Sequence, residues 1–362
     1  MEKESYISHW SALILMEVAC LRDFFGGELA AAEKVEHHVV FSKKDLYQKK
    51  GRRVHLCSKL SEAPTQTIGN KAAVSAEMAF LQVAYELPIV PLILLGILMC
   101  SKIGPDDATL QTPQTPRTPQ TPLTTQARIY EFVSKNKFVR GRRRALQATQ
   151  YIRDNCRSPM EALMYMLLCL PNYYGGAGLT GSLFDYKVDL SMKDRRRLKK
   201  SCLYADLAFR ESDLLLEYNS VERHSEEDER IKDEKRADVL RSMGYTVIFV
   251  EQRDLYDLRQ FDALVRLLRK HLKKRDLRLR TEEFRDGLEA IRLLLPREKL
   301  IETIERAVQP ERVIASFMRR FRGELEWYFG KNTAPQRSRR PRKKPSRHGP
   351  LALLMNVGGV AT

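Results

Sequence analysis

The sequence predicts an α/β protein of more than one domain, and three observations carry that prediction. Strand-like segments at Val35 to Phe41, Arg52 to Ser58, Leu203 to Phe209, Leu214 to Ser220 and Tyr245 to Val250 stand among longer stretches of helical periodicity. A chain of 362 residues exceeds one average core. A Pro-rich insert then divides it.

Residues 1–104 read as a smaller α/β domain with a regulatory or partner-binding role, ending in apolar helices from Ala76. Its greasiest run, Pro88 to Cys100, spans 13 residues, against the roughly 20 that a membrane helix needs. No membrane partner is expected. His37-His38 reads as a pair in a half-buried strand, without a matching ligand cluster. Residues 105–126 repeat Thr-Pro-x four times, which fixes φ at every third position and removes a donor. This predicts an extended linker. Residues 127–157 form a basic helical connector carrying Arg142, Arg143 and Arg144. Amphipathic helices follow over 275–330, and a basic, Pro-rich tail over 331–362 is too polar to pack.

The formal charge of +17 points to a polyanionic partner, with nucleic acid ahead of an anionic membrane surface. Eight basic residues and no acid lie between Lys331 and Arg347, so the folded part is only moderately basic. Hydrophobic content of 43% excludes wholesale disorder. Six cysteines without a C-x-x-C pair read as reduced, mostly buried thiols of a cytoplasmic protein. The start, Met1-Glu2-Lys3-Glu4, lacks the features of a signal peptide.

The chemistry concentrates in residues 158–274. Leu203, Ala205, Leu207 and Phe209 alternate with Tyr204, Asp206 and Ala208, which predicts a strand with Asp206 on the second face. Leu214 to Ser220 is apolar on both faces until Glu217. An even-numbered turn, such as Glu211-Ser212 alone, places opposite each other residues whose numbers sum to 423. Asp206 and Glu217 meet that condition, with Cβ atoms about 4.5–5.5 Å apart. Arg210 then faces Asp213, and Asn219 joins the carboxylate face. Opposed carboxylates on an apolar sheet call for a cation, and Mg²⁺ takes one or two carboxylates plus waters. Alternatively, either acid lies at a solvated edge or pairs with an arginine.

Upstream, Ser158-Pro159-Met160-Glu161 opens a helix in which Glu161 either caps or joins the site. Downstream, Ser225 with Asp228 opens a helix that Gly244 closes, with Arg236, Val239, Leu240 and Met243 on one face. Asp233 and Arg236 are charges on that face or its margin. Arg195, Arg196, Arg197, Lys199 and Lys200, together with Arg142 to Arg144, Lys270 to Lys274 and the tail, are the expected phosphate contacts.

The progression SPMEALMYMLLCLP, GGAGL, YADLAF, LLLEYNSVERH and IKDEKRADVLRSMGYTVIFV resembles a bacterial domain-of-unknown-function family. That family is related to very-short-patch repair endonucleases within the PD-(D/E)XK nuclease superfamily. The resemblance covers about Ser158 to Arg269. It implies a restriction-endonuclease-like mixed sheet flanked by helices, with Asp206 and Glu217 as metal ligands for one or two Mg²⁺ or Mn²⁺ ions. Glu161 then matches the acid of the first helix, and His224, Asp233 and Arg236 match polar positions after the hairpin. Ser75 to Leu95 more weakly resembles abortive-infection antitoxin-type proteins. The expected activity is a DNA endonuclease or nickase in DNA repair or phage defence. Where the superfamily has Lys this chain has Asn219, which supplies no charge to orient a water. Either His224 takes over, as a base or acid titrating near neutrality, or the protein is a nucleic-acid-binding regulator with impaired turnover. His224 also reads as a surface residue of a polar loop. A third reading makes the chain a protein–protein module.

Overall fold

The structure is a computed structural model that describes residues 5–58, 60, 64–104, 121–219, 227–275, 287, 288, 291 and 294. His224, Ser225, nearly all of the insert's repeat, most of 275–330 and the tail lie outside the described residues, as does the Asp228 side chain. The protein is mixed α/β, with two mixed sheets flanked by helices.

The first sheet has the order β3-β2-β1-β5-β4. Its strands are β1 (Tyr6–Ile7), β2 (Glu36–Val40), β3 (Arg52–Leu56), β4 (Thr65–Ile68) and β5 (Lys71–Val74). Helices α1 (His9–Leu15) and α2 (Leu21–Lys34) connect β1 to β2, while α3 (Ala76–Val83) and α4 (Ile89–Met99) follow β5. Ser75 opens α3 by accepting the Met78 amide at 3.3 Å, an N-cap that satisfies one otherwise orphaned donor. Ten of the eleven residues of α4 are buried. It is a core helix, and among the described residues no helix is long and apolar enough to cross a membrane.

The insert returns to order by docking on these helices. Thr124 Oγ1 donates to Glu77 Oε1 at 2.6 Å and Thr125 caps α5 (Gln126–Lys135). Next comes α6 (Arg142–Thr149), whose arginines act partly as structural clamps. Arg144 Nη1 donates to the carbonyls of Ala84, Tyr85 and Leu87 just beyond α3, and Arg142 to those of Val133 and Ser134 in α5. The last carbonyls of a helix lack internal donors, which is what a guanidinium supplies.

The second sheet has the order β6-β7-β8-β9, from β6 (Ser182–Asp189), β7 (Cys202–Phe209), β8 (Leu214–Asn219) and β9 (Thr246–Glu251). The first three strands are antiparallel and β9 runs parallel to β8. Helix α7 (Pro159–Cys169) precedes the sheet, α8 (Met192–Leu198) joins β6 to β7, and α9 (Glu227–Ser242) crosses from β8 to β9. Helices α10 (Gln252–Tyr256) and α11 (Leu258–His271) close the unit. One apolar cluster runs from Ile7 through α3, α4 and α7 to Leu268 of α11. A second, smaller cluster lies between the sheet and α9. Gly244, at φ +96, ends α9 and lets the Tyr245 amide reach the Leu240 carbonyl at 3.1 Å, the left-handed cap that glycine allows. Met243, expected on the buried face, is 37% exposed because the helix has already ended.

Candidate metal and phosphodiester site

The β7–β8 ladder pairs Leu207 with Leu216, Ala208 with Leu215 and Phe209 with Leu214. These pairs have the register sum of 423 expected from the sequence. The connection is longer than Glu211-Ser212, running over Arg210–Asp213 with Asp213 in the left-handed region, but it is still even in number. Arg210 and Asp213 meet through the backbone, the Asp213 amide donating to the Arg210 carbonyl at 3.3 Å.

Asp206 and Glu217 sit one step beyond the last ladder pair, where the strands part. Side chains take over the hydrogen bonds there. Asp206 Oδ2 accepts the Tyr218 amide at 2.8 Å, and the Arg236 guanidinium donates to the Tyr204 carbonyl and, at 3.0 Å, to Glu217 Oε1. The opening is a pocket of about 50 Å³, lined among others by Asp206, Glu217, Asn219, Asp233 and Arg236. That volume exceeds the roughly 10–15 Å³ that one water centre occupies.

Sequence alternation predicts Leu203, Ala205, Leu207 and Phe209 on one face and Tyr204, Asp206 and Ala208 on the other, and the structure corrects this. Leu203, Ala205 and Ala208 pack in the α9 cluster, whereas Leu207 and Phe209 pack in the main cluster. The strand therefore exchanges faces at Asp206. β6 does the same, with Phe184 in the main cluster and Val188 in the other. Both exchanges accompany the left-handed backbone of Asp185, at φ +50, without a shift of register. Asp185 occupies the slot opposite Asp206, between the pairs Phe184–Leu207 and Tyr186–Ala205. Its buried carboxylate is held by Lys102 Nζ and Arg157 Nε, each at 2.7 Å. Sequence reasoning missed this residue.

Glu161 takes the helix-opening role considered for it. Its amide donates to Ser158 Oγ at 3.1 Å, the N-cap bond of α7, and its Oε2 accepts the amide of Arg157, the residue before the cap, at 3.0 Å. It is also buried, and its charge acts on Glu217. Burial, then Asp206, push the Glu217 carboxyl well above its ordinary range; Arg236 opposes them, and Glu161 and Asp233 add to them. Three acids thus bear on one buried carboxyl. The arrangement is a set of oxygen donors with excess negative charge, which a hard divalent ion would neutralise.

The basic residues differ in what they touch, and Arg195 Nε, like Arg142 and Arg144, donates to a backbone carbonyl, that of Leu190, at 2.9 Å. Arg195, Arg196, Arg197, Lys199 and Lys200 are exposed on and just after α8, as is Arg143 on α6. Cys202, where β7 leaves α8, is four residues from Asp206, about 13 Å along a strand. Arg142 and Arg144 are engaged with carbonyls as described above. His37 also differs from expectation, since its ring lies beside those of His9 and His55.

No family model matches the chain, and neither a curated protein nor a solved structure is significantly similar to it.

Proposed function

We propose that the chain is a divalent-metal-dependent nuclease of the PD-(D/E)XK type that cuts or nicks DNA. The observation that carries this reading is the parting of β7 and β8 at Asp206 and Glu217, with Glu161 and Asp233 adding charge to a buried carboxyl. The succession α7-β6-β7-β8-α9-β9, an antiparallel meander followed by a helix and a parallel strand, agrees with a restriction-endonuclease-like core.

The donor set fits Mg²⁺ or Mn²⁺, one or two ions, with Asp206 and Glu217 as ligands. Such an ion supplies a polarised scissile phosphate and a water of lowered pKa. The chain's own groups orient and bind. The Tyr218 amide fixes the Asp206 carboxylate, and Arg236 fixes Glu217. Arg195, Arg196, Arg197, Lys199 and Lys200 offer charge to the DNA backbone at the end of the sheet toward which the pocket lies. Repair or phage defence in a bacterial cytoplasm is the setting this activity would serve.

A second reading rests on Arg236 and Asn219. A guanidinium already pairs with Glu217, and Asn219 gives the pocket no cationic group. Under that reading the protein is a nucleic-acid-binding regulator with impaired turnover. Supercoiled and mismatched DNA, incubated with Mg²⁺ or Mn²⁺ and the full chain, separates the two. Nicking above an Asp206→Ala, Glu217→Ala double variant supports the nuclease. Salt-sensitive binding without nicking across those substrates supports the regulator.

A further inference from the structure

Three imidazoles from separate elements meet against the first sheet. β2 and β3 run parallel with Val39 opposite His55, so His37 and His55 are diagonal neighbours on one face. His9 begins α1 just after β1. Its backbone is left-handed, at φ +52, a conformation unfavourable for a non-glycine residue that persists where surrounding structure enforces it. The enforcement is visible on both sides of His37. The Ser8 amide donates to the His37 carbonyl at 2.8 Å, and the His37 amide donates to Ser11 Oγ at 2.9 Å.

The rings are close enough to share an ion. His55 Nε2 lies 3.3 Å from His37 Nδ1, and the His9 ring stacks on His55 with centroids 4.1 Å apart. One nitrogen from each of the three lies within 4.8 Å of the others. A four-coordinate ion with bonds of about 2.0–2.1 Å has ligand-to-ligand edges of about 3.3–3.4 Å. The His37–His55 separation already has that length. Mutual hydrogen bonding accounts for the His37–His55 pair, while His9 meets Ser8 Oγ through Nδ1 at 3.0 Å and keeps its other ring nitrogen for an ion.

The electrostatics leave the nitrogens available. Burial, then the neighbouring imidazoles and Arg53, lower His9 and His55, the latter to about 4. Burial, then Arg53 and His38, lower His37. Neutral imidazole is the metal-binding form. Arg53 opposes a cation here, and Glu86, whose charge acts on His55 while its Oε2 accepts Trp10 Nε1–H at 3.0 Å, offsets it. The adjacent His38 is not part of the group, being bound to Glu36 at 2.6 Å and to Ser5 at 3.1 Å.

We propose that His9, His37 and His55 bind one zinc-class divalent ion, with a fourth position for water, tying the start of α1 to β2 and β3. An all-imidazole donor set selects zinc and its borderline neighbours over Mg²⁺, so this centre is independent of the carboxylate pocket.

The test uses the full chain, freed of metal by a chelator and titrated with Co²⁺ as a spectroscopic probe. The expected result is one four-coordinate Co²⁺ per chain by the intensity of its visible bands, measured with Mg²⁺ in excess to fill the carboxylate pocket, no thiolate charge-transfer band, and displacement by Zn²⁺ but not Mg²⁺. Replacing His55 by Ala should weaken Zn²⁺ binding by more than about a hundredfold, beyond the 10–100-fold of outer-sphere changes. His38→Ala and Asp206→Asn should leave it unchanged. The proposal fails if the folded chain gives no four-coordinate spectrum, if a thiolate band appears, or if His55→Ala retains the spectrum and stoichiometry. Should His55→Ala not fold, the wild-type spectrum decides alone, its presence supporting the site and its absence overturning it.

Discussion

The two sheets each gather ionisable side chains against a face, and burial acts on the two groups in opposite senses. Around the parting of β7 and β8 it pushes the Glu217 carboxyl up, and Asp206, Glu161 and Asp233 push it further. Around β2 and β3 it pushes the imidazoles of His9, His37 and His55 down. Low dielectric disfavours charge in both places. The acids cannot shed their charge without taking up protons, so they retain a demand for a cation. The imidazoles become neutral at physiological pH and keep lone pairs instead. Under the two proposals, the first site would take an exchangeable hard ion beside phosphate, and the second a tightly held softer one.

The largest effect that would break this contrast is on cleavage. Asp206→Asn keeps an acceptor for the Tyr218 amide and removes a ligand charge. Nicking measured at saturating enzyme should fall about a thousandfold or more, roughly 4 kcal/mol of transition-state stabilisation. The melting temperature should hold or rise, because repulsion on Glu217 is relieved. Wild-type rates in this variant would remove the carboxylates from the mechanism.

The pH dependence of stability in the chelator-treated chain comes next in size. The imidazoles are lowered on folding, so their contribution is present above about 6.5 and is lost as pH falls toward the folded value, about 4 for His55. The slope is at most about 1.4 kcal/mol per pH unit for each. Glu217 is raised, so its contribution is full below its ordinary value of 4.5 and is lost as pH rises through the elevated one. Between pH 4.5 and 6.5 the two oppose each other. Urea midpoints across that range should therefore fall more steeply with acid in Glu217→Gln than in wild type, and less steeply in His55→Ala. Identical profiles in all three would show that neither cluster titrates differently in the folded state.

How far these sites can be read in advance depends on how local their causes are. The register joining Asp206 to Glu217 follows from strand alternation and an even-numbered turn, both of which span few residues. The exchange of faces at Asp206 does not, because it accompanies the left-handed backbone of Asp185 on the neighbouring strand. β4 and β5 meet at Gly69-Asn70, a two-residue turn with Gly69 at φ +58, yet these four-residue strands are too short to give an alternation of their own. The imidazole trio depends on pairing β1, β2 and β3, which no local pattern encodes. Arg142 and Arg144 look like phosphate ligands until the carbonyls left by α3 and α5 are seen beside them.

Arg236 sharpens the comparison more modestly. It holds Glu217 and the Tyr204 carbonyl together across the gap, so under the proposed function it would be an outer-sphere partner of the ion. Mn²⁺ affinity of Arg236→Gln, followed by electron paramagnetic resonance, should drop about tenfold, within the range for such partners. Tighter Mn²⁺ binding would instead mark the guanidinium as a competitor for Glu217 and favour the regulator.

The smallest effect expected is on thiol labelling, and it reports on both sites at once. Cys100 and Cys156 are buried and raised well above the ordinary thiol range, by burial first and then by Asp154 and Glu161 respectively. Burial raises Cys169 to about 12. These should resist iodoacetamide at pH 8, since the thiolate is the nucleophile. Cys57 and Cys202 are half-buried and should react. Cys57 lies two residues beyond His55, and Cys202 lies where β7 leaves α8. Zn²⁺ should slow labelling of Cys57 severalfold and leave Cys202 alone, whereas DNA bound along α8 should protect Cys202 and leave Cys57 alone. Mass spectrometry of the labelled peptides reads both rates in one sample. Protection of both cysteines by either ligand would mean that the two sites are coupled, and the contrast between them would no longer be one of independent chemistry.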